Sequence, residues 1–85
     1  MHLVYILYST TLDKYYIGYT SNLEERLYKH LHSAKGFTSR AKDWTIVYHE
    51  EYSTKSDALM REKQIKNWKN RYLIENLITI QRNRG

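Results

Sequence analysis

The sequence has no cysteine and no proline, and only three of its 85 residues are glycine. The absence of cysteine excludes a disulfide framework and a thiolate metal site, and it fits a reducing compartment. No apolar run approaches the roughly 20 residues that cross a bilayer, and the N-terminus resembles a strand more than a signal sequence. These absences predict a soluble, cytoplasmic protein.

The chain is short and basic. Its length predicts one domain over residues 1–85, and a hydrophobic content of 41% excludes a disordered chain. The net charge is +5, and residues 55–71 concentrate six cations against two carboxylates. Such a stripe favours a polyanionic partner through counterion release, although a solvated helix face explains it equally well. The six cations are Lys55, Arg61, Lys63, Lys66, Lys69 and Arg71.

Residue patterns predict an α+β fold with the element order ββαβαα. Strand-forming residues on both sides of a four-residue turn predict a hairpin, and Ser21 to Glu24 has the pattern of a capping box. We therefore expect a three-stranded antiparallel sheet flanked by helices. The predicted strands cover 2–9, 14–20 and 44–52, and the predicted helices cover 22–32, 55–69 and 71–81, with a loop at 33–43.

The hairpin is expected to bring two tyrosines together. A turn at 10–13 pairs Leu7 with Tyr16 and Tyr5 with Gly18, so Tyr5 and Tyr16 lie diagonally on one sheet face. Gly18 has no side chain and should leave open space opposite the Tyr5 ring. Two phenols beside such a space suit a phosphate-sized pocket, and an aromatic pair that only packs the sheet face is the alternative.

The first predicted helix carries two cationic side chains beside its apolar stripe. The stripe consists of Leu23, Leu27 and Leu31. Arg26 and His30 lie four residues apart along its border, where a side chain can be rooted in the core while its tip reaches a cleft.

The second predicted helix carries a carboxylate on an apolar face. At 100° per residue, Glu62 projects into the arc formed by Ala58, Leu59, Ile65, Trp68 and Tyr72. A carboxylate at the edge of a core is costly unless it is hydrogen-bonded, paired or bound to a metal. Glu62 is therefore a candidate site residue.

These residues together resemble the GIY-YIG nuclease superfamily over nearly the whole chain, from Val4 to about Lys69. The Tyr16-Ile17-Gly18 segment matches the YIG tripeptide in full, whereas Leu3-Val4-Tyr5 keeps only the tyrosine of GIY. The spacing from Arg26 to His30 matches the helix motif. The segment from Ala58 and Leu59 through Glu62 to Lys66 resembles the part that supplies a metal-binding glutamate.

In length the chain is similar to the small, stand-alone bacterial members, and its domain is similar to the catalytic domain of the excision-repair incision subunit. Many relatives also have an asparagine after the glutamate, and both Asn70 and Asn76 are available for this position.

The resemblance implies a metal-dependent DNA endonuclease that hydrolyses phosphodiester bonds in DNA repair or processing. The implied catalytic residues are Tyr5, Tyr16, Arg26, His30 and Glu62, and Glu62 would hold one Mg²⁺ or Mn²⁺. Tyr5 would activate or orient the attacking water, and Arg26 would favour its phenolate. Tyr16 and His30 would hydrogen-bond the scissile phosphate, with His30 assisting proton movement.

The nucleic-acid partner is expected to lie against exposed cations. The candidates are Lys35, Arg40, Lys42, Lys66 and Lys69. Contacts to phosphates carry little sequence information, so we expect weak sequence preference, with selectivity for DNA shape. The residues do not distinguish DNA from RNA, and they leave a homodimer or a protein partner open.

Two other functional classes are consistent with parts of the sequence. A non-catalytic nucleic-acid-binding module on the same scaffold would explain the charge and the tyrosines. Such a module has no reason to keep Glu62 beside an electropositive cleft, where it repels phosphate. A protein–protein interaction domain would need a large exposed apolar patch.

Overall fold

The N-terminal strand is the centre of the sheet. In this computed structural model, which describes residues 1–84, β1 (His2–Ser9) lies between β2 (Lys14–Thr20) and β3 (Thr45–Tyr52), and both pairings are antiparallel. Leu7 pairs with Tyr16 and Tyr5 with Gly18, which confirms the predicted hairpin register. The sheet and its helices confirm the predicted α+β class and the order ββαβαα.

Within residues 1–84, three α-helices and one short 3₁₀ helix flank the sheet. These are α1 (Leu23–His32), α2 (Lys55–Trp68), α3 (Arg71–Arg84) and the 3₁₀ helix Phe37–Arg40, which lies in the predicted loop. The predicted cap of α1 is wrong by one residue, because the Asn22 side chain and not that of Ser21 accepts from the Glu25 N–H, at 3.1 Å. Asn70 caps α3 by accepting from the Tyr72 N–H at 2.9 Å.

The two faces of the sheet pack against different helices. Val4 and Ile6 of β1 face α2 and α3, whereas Tyr5 and Leu7 face α1 and the 3₁₀ helix. The alternation follows from the strand period of two. A register shift in the pairing with β3 makes Val47 an extra residue, so that Ile46 joins Leu7 on one face and Tyr48 joins Ile6 on the other.

Helix α2 buries a narrower stripe than its sequence pattern predicted. Ala58 and Ile65 are fully buried, whereas Leu59 and Tyr72 are exposed. The prediction that Leu59 and Tyr72 belong to the buried face is therefore wrong. Tyr72 leaves the arc because α2 ends at Trp68 and Lys69 adopts a left-handed conformation with φ 46°. Between residues 1 and 84, none of the helices combines the length and apolar character needed to cross a bilayer.

Candidate active site

Tyr5 lies across its neighbouring strand. Tyr5 is 1% exposed, and a Cβ atom built at Gly18 would overlap Cζ and Oη of its ring. The expected open space opposite Tyr5 is therefore wrong, because the ring itself fills the space that a side chain at position 18 would take. Since β2 is an edge strand, this crossing carries the Tyr5 hydroxyl toward the edge of the sheet.

Two side chains of α1 meet the Tyr5 hydroxyl there. His30 Nε2 lies 2.7 Å from the Tyr5 oxygen, and Arg26 Nε–H donates to the same oxygen at 3.3 Å. Arg26 is half-buried, as a border position predicts, but His30 is only 6% exposed and is the buried residue of α1. His30 is deeper than predicted because the other ring nitrogen, Nδ1, also has a protein partner, Thr38 Oγ1 at 3.0 Å.

The protons of this cluster follow from its donors and acceptors. The Arg26 N–H can only donate, so the Tyr5 oxygen accepts from it and keeps its own proton for another partner. His30 Nε2 is the acceptor within reach, which leaves the imidazole proton on Nδ1, facing Thr38. Both nitrogens of His30 are thereby engaged, so the ring is not placed to bind a phosphate.

Burial decides the charge states of Tyr5 and His30. Desolvation raises the pKa of Tyr5 to about 12, and the hydrogen bond from Arg26 offsets only part of this effect. The expectation that Arg26 would favour the phenolate is thus outweighed by burial. Desolvation, followed by the positive charge of Arg26, lowers the pKa of His30 below its ordinary value. At neutral pH the pair is a phenol beside a neutral imidazole.

Tyr16 completes the cluster on the solvent side. Its ring meets the His30 ring edge-on with centroids 4.8 Å apart, and it lies 6.4 Å from the Tyr5 ring. The Tyr16 and His30 rings border a cavity of about 220 Å³. The cavity is lined by Tyr16, Arg26, Lys29, His30, Ser33, Lys35, Gly36, Phe37 and Thr38. It is open to a phosphate and is flanked by three cationic side chains.

Glu62 approaches from the other face of the sheet. Its side chain is 18% exposed, in agreement with the predicted position at the edge of the core, and it forms an ion pair with Lys66 at 3.2 Å. Its negative charge is among the causes that raise the pKa of Tyr5, so the two groups are within electrostatic reach. The structure therefore brings Tyr5, Tyr16, Arg26 and His30 into one cluster, whereas Glu62 belongs to α2 on the other face of the sheet and pairs there with Lys66.

The donor set near this cluster restricts the metals that would fit. Among residues 1–84, no three His, Cys, Asp or Glu side chains converge. A cation that needs several protein ligands, such as structural zinc, is unsuited to one carboxylate. Mg²⁺ retains several waters and takes further oxygens from substrate phosphate, so the single carboxylate of Glu62 fits it.

The expected nucleic-acid contacts fall on two sides of the cluster. Lys35 lines the cavity beside Tyr16, and Lys66 and Lys69 line a groove of about 390 Å³ between β2 and the junction of α2 and α3. Phe37 borders both spaces and so joins them. Arg40 and Lys42 are exposed but have intramolecular contacts. The Arg40 guanidinium lies 5.5 Å from the Phe37 ring centroid, and Lys42 Nζ donates to the Ser33 carbonyl at 2.6 Å.

The basic stripe of residues 55–71 is less available than its charge suggested. Arg61 Nε pairs with Glu50 at 3.0 Å, and Arg71 pairs with Asp13 at 2.5 Å and with Glu75 at 3.1 Å. Two of the six cations thus hold elements together. Glu50 and Asp13 are distant in sequence from these cations and lie outside their helices, and for this reason the charge count overstated the free positive face.

Sequence reasoning missed Thr38 and Phe37. Both lie in a segment without helical or strand periodicity, and the local signal is Gly36, whose φ of +86° precedes the 3₁₀ helix. Their contacts with His30 and Tyr16 join segments that no short pattern connects.

Comparisons with known proteins identify the family of this chain. A family model described as the GIY-YIG catalytic domain matches residues 1–76. A UPF0213 protein of Staphylococcus haemolyticus is 39% identical over 67 residues, which cover 76% of this chain and 79% of the relative. A UPF0213 protein of Staphylococcus epidermidis is 38% identical over 69 residues, or 79% of this chain and 82% of the relative. No solved structure matches the chain. The chain therefore belongs to the GIY-YIG family of nucleases.

Proposed function

We propose that this protein is a divalent-metal-dependent endonuclease that hydrolyses phosphodiester bonds in DNA. The observation that carries the proposal is the contact of the Tyr5 hydroxyl with both His30 and Arg26, two residues that line a cation-flanked cavity. The proposed role is DNA repair or processing, with weak sequence preference and selectivity for DNA structure.

The phosphate would lie in the cavity between Arg26 and Tyr16. Arg26 uses Nε to hold Tyr5, which leaves its terminal N–H groups for two phosphoryl oxygens. Tyr16 would donate its hydroxyl to the same group. Glu62 would hold one Mg²⁺ or Mn²⁺, which supplies charge neutralisation at the phosphoryl and leaving oxygens when bound.

Tyr5 and His30 would move the proton of the attacking water. The water gives a proton to the Tyr5 oxygen while Tyr5 passes its own proton to His30 Nε2. The hydroxide formed attacks phosphorus, the bond to the leaving oxygen breaks, and the leaving oxygen takes a proton from solvent. His30 then returns its extra proton to solvent. This relay avoids a resting phenolate, which the raised pKa of Tyr5 disfavours.

The binding path would run from the Lys35 side of the cavity to the groove lined by Lys66 and Lys69. These side chains would contact the nucleic-acid backbone and not base edges, which is why sequence preference should be weak. A strand that turns sharply at a branch, flap or nick could enter both spaces joined at Phe37.

Cleavage of supercoiled plasmid and of branched DNA, with Mg²⁺ or Mn²⁺, tests the proposal. We expect Glu62→Gln to lower the rate by about 10²–10⁴-fold, as for removal of other key catalytic groups. Glu24→Gln, an exposed glutamate on α1, is the matched control. If Glu62→Gln is folded and cuts as well as wild type, the metal assignment fails. Salt-dependent binding without metal-dependent cutting would instead favour the binding module.

A further inference from the structure

We infer that Thr38 is a positioning residue, which holds His30 in the tautomer that keeps Nε2 free to accept the proton of Tyr5. This deepens the proposed function, because it assigns the control of the proton acceptor in that same site. The contact that carries it joins Thr38 Oγ1 to His30 Nδ1 at 3.0 Å, and both residues are buried.

The opposite tautomer would leave a buried proton without a partner. With the proton on Nε2, the Tyr5 oxygen would face two donors, His30 and Arg26. The phenolic proton would then need a different acceptor, and Tyr5 is 1% exposed. Among the contacts of the described residues, His30 Nε2 is the atom at the Tyr5 hydroxyl that is able to accept, and it does so only in the Nδ1–H tautomer. An unpaired buried donor costs about 1–3 kcal/mol, so the Nδ1–H tautomer is favoured.

Thr38 is itself held in place before any substrate arrives. Its carbonyl accepts from the Trp44 indole N–H at 2.9 Å, and Trp44 is 2% exposed. Its 3₁₀ helix begins after Gly36, whose carbonyl accepts from the Ser39 N–H at 3.2 Å. Threonine is also stiff about χ1, because two heavy atoms branch from Cβ. The hydroxyl oxygen is therefore held at a fixed place facing Nδ1, where it can accept from Nδ1–H.

Removing this hydroxyl should affect His30 and leave the shape of the core unchanged. Thr38→Val keeps the branched side chain but removes the acceptor for Nδ1–H. Each tautomer then leaves one buried donor unpaired, so the Nδ1–H form loses its advantage and part of the protein shifts to the Nε2–H form. In that state His30 donates toward Tyr5 and cannot accept from it. Thr38→Ser keeps a hydroxyl at the same position and should restore the wild-type tautomer.

Nitrogen chemical shifts of ¹⁵N-histidine-labelled protein test the inference without any need for cleavage. At pH 7.5 we expect wild type and Thr38→Ser to show His30 with a protonated Nδ1 and an unprotonated Nε2. Thr38→Val should show a shift toward the Nε2–H form. A wild-type Nε2–H tautomer, or an unchanged tautomer in a folded Thr38→Val protein, overturns the inference. If Thr38→Val does not fold, the smaller Thr38→Ala takes its place.

Cleavage kinetics provide the second readout. We expect Thr38→Val to lower kcat by about 10–100-fold, the size typical of partners that orient a functional histidine, with KM nearly unchanged. Thr38→Ser should restore most of the rate, and Thr45→Val, an exposed threonine on β3, should match wild type. A loss confined to KM, or no rescue by serine, argues for a merely structural role. If wild type does not cut DNA, the proposed function fails, and the nitrogen shifts still decide the role of Thr38.

Discussion

At the scale of single residues, Gly18 and Tyr5 depend on each other. The Tyr5 ring occupies the place of a side chain at position 18, and its hydroxyl reaches His30 and Arg26 only by crossing β2 there. The glycine of the YIG motif is thus required by close approach and not by an unusual backbone angle. Gly18 matters because its missing side chain leaves room for the Tyr5 ring.

Substitution of Gly18 should displace the Tyr5 hydroxyl. In Gly18→Ala, the new Cβ would overlap Cζ and Oη of Tyr5 and lie 2.9 Å from Cε1, so the ring must move. We expect a loss of about 1–3 kcal/mol in the free energy of unfolding from overpacking, together with at least a tenfold loss of cleavage. Urea unfolding and plasmid cleavage measure the two effects. Tyr5→Phe is the comparison, since it keeps the ring and removes only the hydroxyl. Wild-type activity in Gly18→Ala would contradict this account.

The pH dependence of cleavage should report His30 and not a Tyr5 phenolate. The pKa of His30 is lowered by burial and by Arg26, so the imidazole is the neutral acceptor throughout the neutral range. The cleavage rate should therefore be level above about pH 7 and fall only as acid protonates His30 below its usual pKa of ~6.5. If a resting phenolate were required, the pKa of about 12 for Tyr5 would make the rate rise tenfold per pH unit through pH 9. Initial rates of cleavage measured between pH 5 and 9 distinguish these two pH profiles.

At the scale of elements, α2 is fastened to β3 by a second half-buried carboxylate. Glu50 accepts from Arg61 Nε at 3.0 Å, from the Tyr52 hydroxyl at 2.5 Å and from the Tyr48 hydroxyl. Burial raises the pKa of Glu50, but the bonds from Arg61, Tyr48 and Tyr52 outweigh it and leave the pKa below its ordinary value. This network sets the position of the helix that carries Glu62.

Removal of the Glu50 charge should loosen α2. We expect Glu50→Gln to lower the free energy of unfolding by about 1–3 kcal/mol, because Arg61 would keep a half-buried charge without its partner. Glu51→Gln, the exposed neighbour on β3, is the control and should be nearly neutral. Since the folded pKa of Glu50 is depressed, its contribution is present above the unfolded pKa of ~4.3 and is lost as pH falls through the folded value. Urea unfolding at pH 7 and pH 4 should show the difference from wild type shrinking in acid.

At the scale of the whole molecule, the site is assembled from both faces of one small sheet. Arg26 and His30 come from the α1 face, where they contact Tyr5, and Glu62 comes from α2 on the opposite face. Positive charge lies in the cavity near Lys35 and in the groove near Lys69. The placement of the charge, more than its total, is what should bind a nucleic acid here.

The salt dependence of DNA affinity distinguishes an effect of the position of the charges from an effect of the net charge. We expect Lys69→Gln to weaken DNA binding about equally for all sequences and to reduce the slope of log affinity against log salt by ~0.9. Arg82→Gln removes the same charge from the last turn of α3 and should leave the slope nearly unchanged. Fluorescence anisotropy between about 50 and 200 mM salt measures both slopes. Equal effects of the two substitutions would mean that net charge alone drives binding.

Local patterns determined most of the architecture. Alternation and turn length predicted the hairpin register, because neighbouring residues along a strand alternate between faces. Helical periodicity likewise placed Glu62 at the edge of the core. The cap of α1 was missed by one residue, since Ser21 and Asn22 are both good caps and only the backbone angles select between them.

Only the tertiary structure decided the protonation and contacts of the candidate site residues. The register brought Tyr5 and Tyr16 together, but the protonation of Tyr5 depends on how deeply α1 and the 3₁₀ helix bury it. The role of Thr38 and the pairing of Arg61 with Glu50 depend on contacts between segments far apart in the chain. A sequence pattern gives the spacing of residues along one element. Desolvation and hydrogen bonding depend instead on distances between elements, and the packing of the elements sets those distances.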